Sequence, residues 1–115
     1  MSIPTEINAL ISRINREISQ IEQEATEGLN LLRNLLSLFP DNFLLLQSYA
    51  YLNNVLLFIE VCRNQSQDVI ELLLTTEVTA KELQEVGEDL GSTLGKVVEN
   101  KIETMRIVTR LRTLQ

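Results

Sequence analysis

The sequence predicts an all-α fold: an up-down-up antiparallel three-helix bundle of long, coiled-coil-like helices that assembles into a dimer or higher oligomer. Three observations predict it. A heptad seam runs through the first third of the chain, and two boundaries divide the chain into three nearly equal segments. In addition, fifteen of the twenty residues 43–62 are apolar and would lie on every side of a helix. Such a helix has to be buried all round.

The composition indicates a single folded domain, residues 1–115, with 44% hydrophobic and 23% charged residues. The net charge of −6 disfavours nucleic acid and anionic membranes, which both attract basic surfaces. We therefore expect no nucleic-acid partner, and a membrane is disfavoured as a partner. A single cysteine and the absence of an apolar leader near Met1 predict a cytoplasmic protein.

The first helix is predicted near residues 4–39, with Ser2 as a polar cap and Pro4 in the first turn. Alternating steps of four and three residues then define a small or apolar seam. The seam consists of Ile7, Ile11, Ile14, Ile18, Ile21, Ala25, Gly28, Leu32, Leu35 and Phe39. After Gly28 the flanking positions also become leucines, so this end of the helix is expected to have more than one neighbour.

The second helix is predicted near residues 41–77. Pro40 disfavours helical geometry at Phe39, and Asp41 is the expected N-cap of the next helix. The polar run 64–68 contains no glycine or proline, which favours one continuous helix, although a break near Ser66 is the alternative.

The third helix is predicted near residues 79–114, because Thr79 and Glu82 match a capping box. Its apolar stripe is interrupted by Lys101 and Arg112. Long basic side chains can lie along such a stripe and reach water with their charged ends. A second interpretation is that Lys101 pairs with Glu24 or Glu27 and fixes the register of the helices.

The surplus apolar surface lies where the leucine-rich end of helix 1 meets the first half of helix 2. Because an isolated bundle leaves one face of each helix in water, this surplus predicts self-association, most simply as a dimer. The alternative is that the surplus packs internally. The predicted self-association surface consists of Leu31, Leu36, Leu38, Phe43, Leu44, Leu46, Tyr49, Tyr51, Leu57 and Phe58.

Three glycines, Gly87, Gly91 and Gly95, lie four residues apart on one edge of helix 3. Each destabilises a helix interior by about 1 kcal/mol relative to alanine. Close approach of a neighbouring helix would compensate, so tight packing within the chain is the favoured interpretation. A groove for a partner helix or an apolar ligand, and a local kink, are the alternatives.

The sequence offers no recognisable catalytic chemistry. It has no histidine, which excludes Ser-His and Cys-His pairs, and one cysteine without histidine makes no structural zinc site. Glycines four apart match no phosphate-binding loop. Cys62 is expected to be a small core residue. We therefore expect a protein that is not an enzyme and that uses no cofactor or metal.

These observations favour a non-enzymatic helical protein–protein interaction module, such as a scaffold, adaptor or regulator, that self-associates through the helix 1/helix 2 surface. An unidentified second protein is a further potential partner. The alternative is a carrier or sensor of an apolar small molecule in a helical-bundle cavity. A membrane-associated helical protein is the weaker alternative, since residues 43–62 contain five polar or charged side chains.

Overall fold

A computed structural model describes residues 3–114 as three long α-helices that pack against each other. The helices are α1 (Thr5–Leu38), α2 (Phe43–Thr75) and α3 (Ala80–Thr113), with 34, 33 and 34 residues. The predicted all-helical bundle of three nearly equal helices is confirmed, and the described part of the chain contains no strand.

The helices lie side by side in a rod that measures 57 × 19 × 17 Å, with a radius of gyration of 17.5 Å. The long dimension is close to the length of one helix, since 34 residues at 1.5 Å each span about 51 Å. Each helix therefore runs nearly from one end of the molecule to the other.

The core is built on α1, against which both other helices pack more extensively than they pack against each other. Nine of the ten predicted seam residues are buried, and only Phe39, which follows the helix as its C-cap, is exposed. At Gly28 side chains from both other helices pack closely against α1. A Cβ atom there would lie 2.7 Å from Leu52 Cδ1 and 2.8 Å from Val108 Cγ2, so this position has no room for a larger residue.

The helix boundaries correct two of the three predicted caps. Pro4 is the N-cap of α1 and not part of its first turn, while Ser2 lies outside the described residues. Asn42, not Asp41, caps α2: its side chain accepts a hydrogen bond from the backbone N–H of Leu45 at 3.1 Å. The reason is a turn at residues 39–42, in which the N–H of Asn42 donates a hydrogen bond to the carbonyl of Phe39. Because of this turn, Asn42 is the last residue with extended backbone geometry before α2 begins.

The predicted cap of the third helix is confirmed, because the Thr79 side chain accepts a hydrogen bond from the Glu82 N–H at 3.1 Å. The predicted continuity of the second helix is confirmed as well, and the alternative break near Ser66 is wrong. Ser66 is 2% exposed and faces the interior, so the polar run around it does not interrupt α2.

Candidate interaction surface

The first half of α2 exposes large apolar side chains to solvent. Residues 43–59 include no charged residue. Six members of the predicted self-association surface are exposed, with relative accessibilities from 38% to 72%: Leu38, Phe43, Leu44, Leu46, Tyr49 and Leu57. Within one chain α2 is therefore not buried all round, and the alternative in which the surplus packs internally does not hold for these residues.

The other four residues of the predicted surface lie deeper in the molecule. Leu31, Leu36, Tyr51 and Phe58 are half-buried and pack against the core. Two exposed apolar residues of this region, Phe39 and Val61, were missed by the sequence prediction. Val61 follows Phe43 by eighteen residues, which is five turns of an α-helix, and this spacing places both on the same face.

One stripe of α2 points directly away from the other two helices. We call it the outer stripe of α2, and it consists of Phe43, Leu46, Ala50, Leu57 and Val61, all exposed. At about 100° per residue, these five positions lie within about 60° of each other on the helix. The buried residues Leu45, Leu52 and Ile59 lie on the opposite side, at about 160–200° from Phe43.

An open groove of about 730 Å³ lies between the first turns of α2, the last turns of α3 and the end of α1. Its apolar walls include Leu35, Leu44, Leu45, Ile107 and Leu111. Its polar lining consists of Asn42, Gln47, Ser48, Tyr51, Glu103, Arg106 and Arg110. The groove therefore combines an apolar interior with two guanidinium groups.

The charges of the groove are partly paired. Arg106 Nε donates to Glu103 Oε2 at 3.0 Å, and this hydrogen bond to Arg106 holds the pKa of Glu103 below its usual value. Burial, and then the negative charge of Glu103, raise the pKa of the Tyr51 hydroxyl, which stays neutral at physiological pH. Arg110 also lines the groove and forms no ion pair within the described part of the chain.

Ion pairs join α1 to α3 along one edge of the bundle. Lys101 Nζ lies 2.8 Å from Glu17 Oε2, so the predicted pairing of Lys101 with Glu24 or Glu27 is wrong. Arg112 takes those two glutamates instead, at 3.2 and 2.8 Å. Glu17 precedes Glu24 by two turns of the helix, so α3 lies about two turns closer to the N-terminal end of α1 than equal helix lengths predict. The hydrogen bond from Arg112 lowers the pKa of Glu27.

The close contact predicted within the chain at Gly87, Gly91 and Gly95 is also wrong. A Cβ atom added at any of the three would have no neighbour within 4 Å. The three positions lie on an open side of α3, and the glycine that does sit in a close contact is Gly28. α3 runs unbroken through these positions, and the groove and local-kink alternatives both stay predictions.

Cys62 is buried between the helices, and burial raises the pKa of its thiol, as expected for a packed core cysteine. Among residues 3–114 no three acidic or cysteine side chains are grouped to hold a metal ion.

α2 is the one helix of the described chain with the length and composition to cross a membrane, and 22% of its most apolar window is buried. Helices that carry an interface can share these properties, since an apolar face suits a protein partner as well as lipid. Comparisons of the chain with protein-family models, curated proteins and solved structures found no match. The exposed apolar surface is therefore the main guide to function.

Proposed function

We propose that this chain is a non-catalytic protein–protein interaction module that self-associates through the end of α1 and the first half of α2. One observation carries the proposal: seventeen consecutive residues without a charge, 43–59, begin a helix whose apolar side chains are exposed. Contiguous apolar surface on a protein usually marks an interface. The absence of charge disfavours a partner that is recognised by electrostatic complementarity.

An up-down-up arrangement of the helices is part of the proposal. Contacts of α1 with α2 support opposite directions, because Glu22 pairs with Arg63 while Gly28, further along α1, meets Leu52, earlier in α2. Contacts of α1 with α3 support the same direction, because Lys101 pairs with Glu17 and Arg112 with Glu27. This arrangement brings the end of α1 next to the start of α2, where the exposed apolar residues lie.

A second copy of the chain is the simplest partner for this surface. Most soluble oligomers are symmetric homo-oligomers, and twofold dimers are the commonest. A surface without charges can also meet itself without like-charge repulsion, whereas the rest of this acidic molecule cannot do so as easily. Because the association is apolar, it should persist at high salt.

Light scattering across a concentration series tests self-association. The chain mass is 13.1 kDa, so we expect a solution mass of twice that value for the wild-type protein. Leu57→Glu should give a monomer, because it places a charge on the surface. Ile102→Glu is the matched control, since Ile102 is 64% exposed on α3 and Leu57 is 68% exposed on α2.

Two outcomes would refute the proposal. One is a wild-type protein that stays monomeric up to about 100 μM, a concentration at which even weak specific dimers form. The other is equal loss of mass in both variants, which would place the interface elsewhere. Circular dichroism should show that both variants keep their helices, because both substituted side chains are exposed.

A carrier or sensor of an apolar small molecule is the second candidate function, and the groove at the end of the bundle favours it. Its volume of about 730 Å³ lies within the range of ligand pockets, and Arg110 stands among apolar walls. The ligand class that fits is a molecule with an apolar body and one anionic group, such as a long-chain fatty acid.

Thermal unfolding with added palmitate tests this candidate. We expect saturable stabilisation of the wild-type protein, because a ligand that binds only the folded state raises its stability. Ser48→Trp should abolish the effect by filling the groove, while Ser92→Trp, on the exposed side of α3, should not. Absence of stabilisation in the wild type, or equal stabilisation of both variants, would rule out this site.

A further inference from the structure

We infer that two copies of the chain pair antiparallel through the outer stripes of α2, with the twofold axis at Ala50. This inference rests on the proposed self-association and deepens it by assigning the pairing face, the direction and the register. The observation that carries it is the near-symmetric order of exposed residues on either side of Ala50.

The pattern of large and small side chains fits this register. In an antiparallel pair each residue faces the one that lies equally far on the other side of Ala50 in the partner. Phe43 then faces Leu57, and these two side chains are 72% and 68% exposed in the single chain. Val61 lies just beyond the first residue of the partner's α2, towards the turn that carries the exposed Phe39. Ala50 faces Ala50, so the two helices can approach closely at the axis.

The polar residues beside the stripe also find partners. Gln47 and Asn54 lie on the same flank of α2, seven residues apart and on either side of Ala50. At this register Leu46 faces Asn54 of the other chain. A twofold axis that crosses the pair brings the same flanks together, so Gln47, one residue from Leu46, also lies close to Asn54 of the other chain. Their amides can hydrogen-bond across the interface, twice by symmetry.

Charge selects the antiparallel over the parallel direction. In a parallel pair every residue of the stripe meets its own copy. The face that begins at Phe43 continues along α2 through Asn64 to Asp68. The two Asp68 carboxylates would therefore face each other, and like charges repel. In the antiparallel pair centred on Ala50 the contact ends near Val61. Asp68 then lies beyond the partner's α2, and residues 43–57, which carry no charge, are matched with each other.

The size and direction of the stripe suit a dimer. The stripe points away from α1 and α3, so a second bundle can approach without a clash. Together with Phe39, its exposed apolar side chains offer on the order of 600 Å² per chain, close to the ~800 Å² per partner of a standard interface.

Cross-linking from single cysteines tests the register in the full-length chain. In a Cys62→Ser background, Ala50→Cys and Val61→Cys each add one exposed thiol on the outer stripe. With a short bis-maleimide, we expect Ala50→Cys to form covalent dimers and Val61→Cys to stay uncoupled. The reason is that the two copies of residue 61 lie about 33 Å apart in the antiparallel pair but side by side in a parallel one.

Light scattering of the same variants separates failure of this inference from failure of the proposed function. Dimers that cross-link at both positions would show parallel pairing, and dimers that cross-link at neither would show another interface. Both results overturn the inference and leave self-association standing. A monomeric chain in every variant, and in the wild type, would overturn both.

Discussion

Replacing glycine with alanine should have opposite effects at two positions of this chain. Gly91 and Gly28 both lie inside helices, so alanine should favour the folded state at each by about 1 kcal/mol through helix propensity alone. The surroundings then decide the outcome, because a methyl group at Gly91 meets nothing within 4 Å, whereas one at Gly28 meets two side chains at less than 3 Å.

At Gly91 we therefore expect the full propensity gain, about 1 kcal/mol in the free energy of unfolding, or roughly 4 °C in the melting temperature. At Gly28 the added methyl presses on Leu52 and Val108, which are both 0% exposed and cannot move into solvent. Overpacking of this kind destabilises by about 1–3 kcal/mol, so Gly28→Ala should be destabilised by up to about 2 kcal/mol.

Urea unfolding followed by circular dichroism measures both free energies. All samples need the same chain concentration, since the stability of a dimer depends on it. A gain in stability for Gly28→Ala as large as that for Gly91→Ala would refute the packing described at Gly28. A loss of stability for Gly91→Ala would refute the open environment of that edge of α3 and would indicate a contact made there in the assembly.

Two further predictions concern the buried hydroxyl group of Thr104 and the dependence of stability on pH. Thr104 is 0% exposed and its hydroxyl has no hydrogen-bond partner among the described residues, so Thr104→Val should stabilise by about 1 kcal/mol in urea unfolding. The exposed Thr109→Val is the control, and an equal change in both variants would contradict the reasoning. Arginine contacts lower the pKa of Glu27 and Glu103 in the folded state below the usual pKa of a glutamate. Their stabilisation is therefore fully present above that usual pKa and is lost as the pH falls through the lowered pKa. The urea midpoint should fall less between pH 5 and pH 3 for Glu27→Gln than for the wild type, by a small amount because the pair is exposed, and an equal fall would argue against the Arg112 contact.

The helices could be predicted from the sequence because their signals are local and repeated. The seam of α1 recurs every three or four residues over its whole length, and Thr79 with Glu82 marks the start of α3 within four residues. The N-cap of α2 was harder to predict, because Asp41 and Asn42 are both good N-cap residues and only the turn at Pro40 decides between them.

The contacts between helices were harder to predict, because they depend on the relative height of the helices. Equal lengths suggested that Lys101 would meet Glu24 or Glu27, but α3 lies about two turns closer to the N-terminal end of α1, so Lys101 meets Glu17 instead. The glycines of α3 were misjudged for the same reason, since spacing gives the edge on which they lie but not which side of the bundle that edge faces.

The hydrophobic periodicity of the sequence also could not show which side of α2 is exposed. Apolar residues on every side of a helix give no inward direction, so the sequence could indicate a surplus but not its location on the helix. The direction comes from the neighbours: Leu45, Leu52 and Ile59 are held by the other helices, which leaves Phe43, Leu57 and Val61 outside.

The rod shape of the molecule has a consequence for how its size is measured. A compact protein of 115 residues has a radius of gyration of about 13 Å, and the value of 17.5 Å found here is that of a compact protein of about 230 residues. On a gel-filtration column calibrated with globular standards, a single folded chain should therefore elute early, near the position of a dimer. Retention volume alone would count one chain as two, and a true dimer as a still larger particle, whereas scattered light reports mass without reference to shape.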